Sequence, residues 1–288
     1  MDMALDNTGM AQLIRKYENR NLPIIPGNTG ILPLTYFNLL RLNEGETIDQ
    51  RVEGFETVYV VLKGTCNIET EEDSFTNVGW RQDIWSGNAD SVYIPSGAWV
   101  HVHAIQNTTE IAVAGGKCEQ TFKPFRIYPE DEEMVDVGSN ETHSRRRIYH
   151  ILGHNAKGRA GNLLVSELFA DQGCWAGYPP HKHDEEQGEK ETAFEEAYHY
   201  RFRPEAGFGA QLVFQPDGSA QGFMTRDGDT LLIDKGYHPT VTSPGHEEYI
   251  FTILVGRNQR SLIQNFKEDY RYLVDKIPGI GEMRAKFK

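Results

Sequence analysis

Short runs of β-branched and aromatic residues recur along the chain, and clusters of Gly, Pro, Asn and Asp separate them. Such runs are typical of β-strands bounded by turns. The clearest are 57–62, 91–95, 110–114, 163–169, 196–202, 211–215, 230–234 and 249–255. The polar, acidic stretch 129–146 divides them into two groups, which predicts an all-β chain of two β-sandwich or jelly-roll barrels joined by a linker.

Helical patterns are found only near the two ends, over residues 10–18 and 262–288. Near the C-terminus, apolar side chains recur at helical spacing and predict a short helical tail packed on a barrel. These are Phe266, Tyr270, Leu273, Val274 and Ile277. The predicted division is an N-terminal barrel over 20–128, a second barrel over 145–260 and a tail over 261–288.

The two halves contain similar segments. Phe55–Tyr59 (FETVY) is similar to Phe194–Tyr198 (FEEAY), which indicates a duplicated barrel whose copies have diverged. Thr57 stands where the second half has Glu196, and no pair of histidines precedes it. The N-terminal barrel is therefore predicted to hold no metal.

A candidate metal site begins in the run YPPHKH at 178–183. Side chains alternate along a strand, so His181 and His183 point to the same face. Glu196 on the next strand and His238 in the turn GYHP would complete a pocket of three imidazoles and one carboxylate. Such a pocket holds a divalent cation and leaves positions open for a substrate.

A second glutamate could supply the carboxylate ligand in place of Glu196. A register shift of one residue would make Glu195 the ligand instead of Glu196, because it moves every side chain to the other face. The comparison of the two halves favours Glu196.

Composition and charge exclude several classes of partner. The net charge is −13, without a basic stripe, so nucleic acid and anionic membranes would be repelled. No apolar run is long enough to span a membrane, and residues 1–10 lack the features of a secretory signal. Three widely spaced cysteines suit a reducing compartment, so we expect a cytoplasmic protein. The acidic runs 130–133 and 184–191 are interpreted as solvated loops.

The ligand spacing is similar to that of the cupin superfamily. The order YPPHKHD, FEEAYHY and LLIDKGYHP resembles the 5-deoxy-glucuronate isomerase family of inositol catabolism, and the likeness spans most of residues 30–255. The resemblance implies a bicupin with one divalent metal ion in the C-terminal barrel, bound by His181, His183, Glu196 and His238. It also implies conversion of 5-deoxy-D-glucuronate to 5-dehydro-2-deoxy-D-gluconate, an aldose–ketose isomerisation. The chain departs from the family pattern at Asp234, Leu212 and Thr252, where Pro, Arg and Asn are expected.

The proposed chemistry needs a metal and a group that moves a proton. Zinc, manganese and iron(II) all suit nitrogen and oxygen ligands. Glu167 is one candidate base, because it alternates with Leu163, Val165 and Phe169 and would face an apolar interior that raises its pKa. Tyr198 is a second catalytic candidate.

Four further residues are candidates for substrate binding. Arg147 matches an arginine of the family and is predicted to bind the substrate carboxylate, whereas Arg145 and Arg146 are interpreted as linker charges. Gln211 is predicted to hold a substrate hydroxyl. Tyr200 and Tyr237 are predicted either to contact the substrate or to orient a ligand.

Other functions fit the same ligand set. They are a cupin isomerase acting on another uronate, a metal-dependent cupin dioxygenase and a non-catalytic sugar-binding cupin. The expected partner is a small sugar-acid substrate, and a homo-oligomeric assembly is left open.

Overall fold

The structure is a computed structural model that describes residues 9–28 and 30–286. The first strands are β1 (Ala11–Ile14), β2 (Ile25–Pro26), β3 (Thr35–Leu42), β4 (Thr47–Arg51), β5 (Phe55–Lys63), β6 (Cys66–Thr70), β7 (Ser74–Val78), β8 (Asp90–Ile94), β9 (Trp99–Ala104), β10 (Thr109–Lys117) and β11 (Phe125–Ile127).

The later strands are β12 (Glu133–Val137), β13 (Arg146–Leu152), β14 (Leu163–Ala170), β15 (Trp175–Ala176), β16 (His181–Lys182), β17 (Phe194–Arg203), β18 (Phe208–Phe214), β19 (Ala220–Arg226), β20 (Thr230–Ile233), β21 (Thr240–Thr242), β22 (Glu247–Gly256) and β23 (Asn265–Phe266). The described residues form 3-10 helices at Pro129–Asp131, His154–Ala156 and Glu268–Leu273, and helix α1 at Ile280–Lys286. The predicted all-β class is confirmed. No helix among these residues has the length and apolar character needed to cross a bilayer.

The antiparallel sheets form two units, each built from one large and one four-stranded sheet. The first unit has a six-stranded sheet in the order β11-β8-β5-β10-β3-β2 and a four-stranded sheet in the order β4-β9-β6-β7. The second has a seven-stranded sheet in the order β1-β20-β17-β22-β14-β13-β12, a four-stranded sheet in the order β15-β21-β18-β19, and the pair β16-β23. The boundaries 20–128 and 145–260 stay a prediction. In the structure β1, which precedes both ranges, belongs to the second unit's large sheet.

The two large sheets pack against each other between the units. Phe37 and Val60 of the first unit share one apolar cluster with Phe251 and Ile253 of the second, and the Phe37 and Phe251 rings lie 6.0 Å apart. The opposite face of the seven-stranded sheet covers a separate core within the second unit, which includes Tyr200. Because side chains alternate along each strand, every second residue of this sheet faces the first unit.

The predicted helical pattern at residues 10–18 is wrong. Ala11–Ile14 is a strand that pairs with β20, and Met10 and Ala11 pack in the second unit's core with Tyr198 and Ile233. Four residues of an edge strand are too few for a local pattern to reveal, and their partner lies more than 200 positions away.

The C-terminal tail is helical only in short segments. Phe266 lies in β23, and Pro278 and Gly279 separate the last 3-10 helix from α1. The break agrees with the inability of proline to continue a helix. Ile277, Ile280 and Met283 are buried against the second unit's large sheet, as a tail packed on that unit requires.

Candidate metal centre

Three histidines from two separate segments meet inside the second unit. His181 lies on β16, His183 follows that strand, and His238 lies in the turn after β20. One ligand nitrogen from each ring lies within 4.8 Å of the other two, and all three residues are buried. This buried three-histidine cluster is a possible metal site.

Backbone carbonyls orient two of these rings. His181 Nδ1 donates to the Pro179 carbonyl at 3.0 Å, and His238 Nδ1 donates to the Gly236 carbonyl at 2.7 Å. Since a carbonyl can only accept, both rings carry their proton on Nδ1 when neutral, and Nε2 keeps a free lone pair. A hydrogen bond at the far nitrogen is the usual way in which proteins orient a metal-binding imidazole.

Glu196 lies next to the same cluster. Its Oε2 is 3.0 Å from His183 Nε2 and also 3.0 Å from His238 Nε2, the second contact lacking the alignment of a hydrogen bond. Three imidazole nitrogens and a carboxylate oxygen are donors that suit zinc, manganese or iron(II). The residues present therefore fit a divalent ion.

Burial and mutual contact set the charges of this cluster. Burial lowers the pKa of His181 well below its ordinary value, and His238 and His183 lower it further. Burial alone would raise the pKa of Glu196, but His238 and His183 outweigh it and hold that pKa far below the ordinary range. Burial lowers the pKa of His238, but the Glu196 carboxylate outweighs this and raises it. Glu196 is therefore ionised at neutral pH and carries the negative charge of the cluster.

A buried charge network joins the two ligand segments. Lys182 points away from the cluster and pairs with Asp184 and, at 3.0 Å, with Glu191. Glu191 also accepts from Asn265 Nδ2 at 2.8 Å, and Asp184 Oδ2 accepts from the Gly236 amide at 2.7 Å. Through these contacts the His181–His183 segment is fixed to the turn that carries His238.

The interpretation of 184–191 as a solvated loop is therefore wrong for its two ends. Glu191 is fully buried, and Asp184 is engaged at both oxygens. A run of acidic residues looks solvated in a sequence, because the lysine that neutralises it is identified only when the chain folds.

The predicted substrate-binding residues Tyr200 and Gln211 lie behind His238. The Tyr200 hydroxyl donates to Gln211 Oε1 at 2.9 Å, and Gln211 Nε2 donates to the carbonyls of His238 and Pro239 at 2.6 and 3.1 Å. Both side chains are fully buried. Tyr237 packs on Phe214, with ring centroids 5.4 Å apart. These three residues support the turn and do not line the cavity beside the cluster.

That cavity has a volume of about 50 Å³ and includes Tyr198 in its wall. A water molecule needs roughly 10–15 Å³ on this measure, so the cavity has room for metal-bound water or substrate oxygens. Its other walls are Arg146, Ile148, Ser166, Leu168, Gly177, His181, His183, Glu196, Thr252, Leu254, Leu262, Gln264 and Met283.

Glu167 and Arg147 do not line this cavity, and their predicted roles in catalysis and substrate binding stay predictions. Arg81 of the first unit donates to the two oxygens of Glu167 at 2.9 and 2.6 Å, and the Tyr249 hydroxyl adds a bond at 2.8 Å. The predicted alternation of Glu167 with Phe169 is present, but the apolar interior that it faces lies between the two units. Arg147 is on the same side, with its guanidinium 5.8 Å from the Phe169 ring.

Arg146, interpreted from the sequence as a linker charge, lies on β13 and is the arginine of the cavity beside the histidines. It is fully buried, and donates to the carbonyls of Ser144 and Tyr178, each at 2.8 Å. No carboxylate pairs with it among the described ion pairs, and burial lowers its pKa to about 10. Arg146 and Ile148 are two positions apart on β13 and face the same side, whereas Arg147 faces the other side, and this alternation could have distinguished the two arginines.

Gln264 is a second residue of this cavity that was not predicted from the sequence. It comes from the segment before β23, and its Nε2 lies 3.0 Å from His181 Nε2 while its Oε1 is buried without a partner. The tail therefore adds a polar group to the candidate site, for which no motif gave a signal.

Comparisons with known proteins support a relationship over nearly the whole chain. A family model described as the KduI/IolB family matches residues 14–273. The chain is 36% identical over 225 residues to the 5-deoxy-glucuronate isomerase of Geobacillus thermodenitrificans, covering 76% of this chain and 79% of that protein. It is 28% identical over 256 residues to the one from Halalkalibacterium halodurans, covering 86% and 93%.

Solved structures give the same picture. An IolB-like protein from Salmonella typhimurium aligns with a TM-score of 0.80 at 25% identity, covering 92% of this chain and 97% of that one. A variant of oxalate decarboxylase from Bacillus subtilis aligns with a TM-score of 0.55 at 14% identity, covering 80% and 70%. The second likeness concerns the fold alone, and it agrees with a bicupin.

Proposed function

The chain belongs to the KduI/IolB family, and from this membership we propose that it is a sugar-acid isomerase that converts 5-deoxy-D-glucuronate to 5-dehydro-2-deoxy-D-gluconate in myo-inositol catabolism. Relatives that carry the name 5-deoxy-glucuronate isomerase cover most of the chain. The observation that carries the proposal is a single cavity whose walls include His181, His183 and Glu196 of the candidate metal centre together with the buried Arg146, which has no carboxylate partner among the described ion pairs.

His181, His183, Glu196 and His238 are the proposed ligands of one divalent ion, either zinc, manganese or iron(II). When bound, such an ion polarises a carbonyl and the neighbouring hydroxyl, so that the proton on the carbon between them becomes acidic. Imidazoles bind a metal ion in their neutral form, so Glu196 would supply the only negative charge of this set and most of the ion's positive charge would remain. Lys182 and Glu191 hold the ligand segments in register.

Arg146 is the proposed partner of the substrate carboxylate. Burying a cation is unfavourable unless an anion or hydrogen bonds compensate it, and the two carbonyls that Arg146 contacts carry no net charge. A carboxylate in the cavity would complete that compensation with charge-assisted hydrogen bonds. A sugar acid anchored at this end extends its other end towards the histidines.

Tyr198 is the proposed proton-transfer residue. Burial raises its pKa well above the ordinary value, and the neighbouring Glu196 raises it further. The hydroxyl is therefore protonated at neutral pH and is suited to move a proton between the two substrate oxygens, donating its own to the carbonyl oxygen and accepting the proton of the neighbouring hydroxyl. Glu167 has no part in this step, because Arg81 and Tyr249 occupy its oxygens.

Anaerobic turnover tests the proposal. Protein loaded in turn with each of the three metals is incubated with 5-deoxy-D-glucuronate under nitrogen, and proton NMR follows loss of the aldehyde form and appearance of the ketone. Conversion without oxygen supports the isomerase. Oxygen uptake in a parallel aerobic run, with no anaerobic conversion, would point to a dioxygenase. Stoichiometric binding without either reaction would point to a sugar-binding protein. The cytoplasmic location and a homo-oligomeric assembly stay predictions.

A further inference from the structure

We propose that the protein has a second ligand site, in the cavity between its two units, and that this site takes a small sugar acid. The cavity has a volume of about 180 Å³, compared with about 50 Å³ beside the histidine cluster. It lies on the other face of the seven-stranded sheet. Ligand sites occur preferentially at such boundaries between folded units.

Both units build the walls of this cavity. The first supplies a loop that includes Trp85 and Asn88, and the second supplies Arg147, Phe169 and Arg203. Aromatic rings with a few convergent polar groups are the usual lining of a small-molecule site. Flat rings suit the apolar faces of a sugar ring, while amide and guanidinium groups suit its oxygens.

A buried ion pair fixes the floor of the cavity. Arg81 and Glu167 are each about 99% buried or more, and their bidentate contact joins the first unit's loop to β14. Arg81 also donates to the carbonyls of Val61 and Gly87, and these hydrogen bonds fix the position of the loop that carries Trp85. The cavity is therefore formed before any ligand arrives.

The charges on the walls favour an anion. Arg203 lies over the Trp85 ring at 4.6 Å and is neutralised by Glu247 at 2.8 Å. Glu167 is neutralised by Arg81. Arg147 has no carboxylate partner among the described ion pairs, and its guanidinium lies over the Phe169 ring. The positive charge of Arg147 is therefore not neutralised by these pairs, and it suits the carboxylate of a bound acid.

Alternation along one strand separates this site from the candidate metal centre. Arg146 faces the histidine side and Arg147 faces the inter-unit cavity, although the two residues are adjacent on β13. Replacing one or the other with glutamine removes the same charge from opposite faces of the same strand. This pair gives a matched control for any binding experiment.

The test is a fluorescence titration with D-glucuronate as the probe, with D-glucose as the uncharged ring and inorganic phosphate as the anion without a ring. We expect saturable quenching by glucuronate in the wild type, little with glucose or phosphate, and loss of the signal in Trp85→Phe. The apparent Kd should rise at least tenfold in Arg147→Gln and stay within threefold in Arg146→Gln and Arg147→Lys.

Three results would overturn the proposal: no saturable change in the wild type, equal binding of phosphate, or loss of the signal in Arg146→Gln with retention in Arg147→Gln. Circular dichroism reports whether each variant folds. If Arg147→Gln does not fold, the wild-type comparison of the three probes and the Trp85→Phe titration still show whether the cavity binds a sugar acid.

Discussion

Glu56 and Glu195 occupy equivalent positions in the two halves, and each reaches across the interface to the other unit. Glu56 accepts from the amides of Gly161 and Leu163 at 2.7 and 3.0 Å. Glu195 accepts from the Leu34 amide and the Thr35 hydroxyl, both at 2.9 Å. The duplicated segment therefore provides one inter-unit contact in each direction, and Glu195 faces away from the histidines that Glu196 touches.

Replacing His183 with alanine is expected to remove both stoichiometric metal and isomerase activity, because the proposed set would lose one of its three nitrogens. Metal content is measured by elemental analysis after dialysis, and activity by NMR. His101→Ala is the control, since His101 is a partly exposed histidine of the first unit that pairs with Asp49. Retention of a full equivalent of metal in His183→Ala would contradict the ligand assignment.

Replacing Arg146 with glutamine is expected to lower kcat/KM much more than replacing Arg147. A hydrogen bond to a charged group contributes about 1.5–3 kcal/mol, so the loss should be roughly 10- to 150-fold. Arg147→Gln should change kcat/KM less than threefold, since its side chain faces the other unit. Steady-state kinetics measure both, and similar losses in the two variants would argue against the proposed role of Arg146.

Tyr198→Phe is expected to lower kcat by roughly 10²–10⁴-fold, the range typical of a lost general acid or base. The metal content should not change, because the tyrosine is not among the proposed ligands. Tyr200→Phe is the control, since its hydroxyl contacts Gln211 behind the turn. A kcat in Tyr198→Phe within threefold of the wild type would exclude a role in proton transfer.

The contribution of Glu248 to stability should decline as the pH rises from about 4.5 to about 7. Burial raises the pKa of Glu248 to about 7, against a hydrogen bond from Thr242 that lowers it. The folded state then binds a proton that the unfolded state has already released, and unfolding becomes easier until both are ionised. One pKa unit corresponds to about 1.4 kcal/mol, so the effect is on the order of 3 kcal/mol.

Urea unfolding of the wild type and of Glu248→Gln at pH 5, 6, 7 and 8 measures this contribution, and the stability of the wild type relative to the variant is expected to fall as the pH rises. Both proteins keep a pH dependence from other groups, because burial raises the pKa of Glu195 to about 7 and lowers the pKa of His181 and His199 well below the ordinary value. An unchanged slope in Glu248→Gln would show that the Glu248 carboxyl is not protonated in the folded state in this range.

Removing Arg81 alone is expected to destabilise the protein by about 3–5 kcal/mol, because Glu167 would be left buried without its partner. Removing both charges in Arg81→Met with Glu167→Leu should recover a large part of that loss, since an apolar pair of similar volume has no charge to desolvate. Thermal and urea unfolding compare the two variants. A double variant no more stable than Arg81→Met would contradict this account.

The three histidines and Glu196 could be predicted as metal ligands from local sequence features. These are the alternation of His181 and His183, the two prolines before them and the segment that is repeated in the two halves. The sequence did not predict which side Glu167 and Arg147 face. The large sheet of the second unit is covered on both faces, and residues of both alternations are therefore apolar. The contribution of Gln264 had no signal either, because the tail reaches the cavity through tertiary packing and not through a periodic pattern.

The pairing of β1 with β20 ties the beginning of the chain to its last third. The amide of Asp234, four residues before His238, donates to the Met10 carbonyl at 3.1 Å, and Asp229 at the other end of β20 binds Arg15 at 2.7 Å. A fragment cut at the linker would carry the histidines but would leave β20 as a bare edge, open to pairing with other molecules. The two halves resemble each other, yet only the first keeps all the strands of its sheets on its own side of the linker.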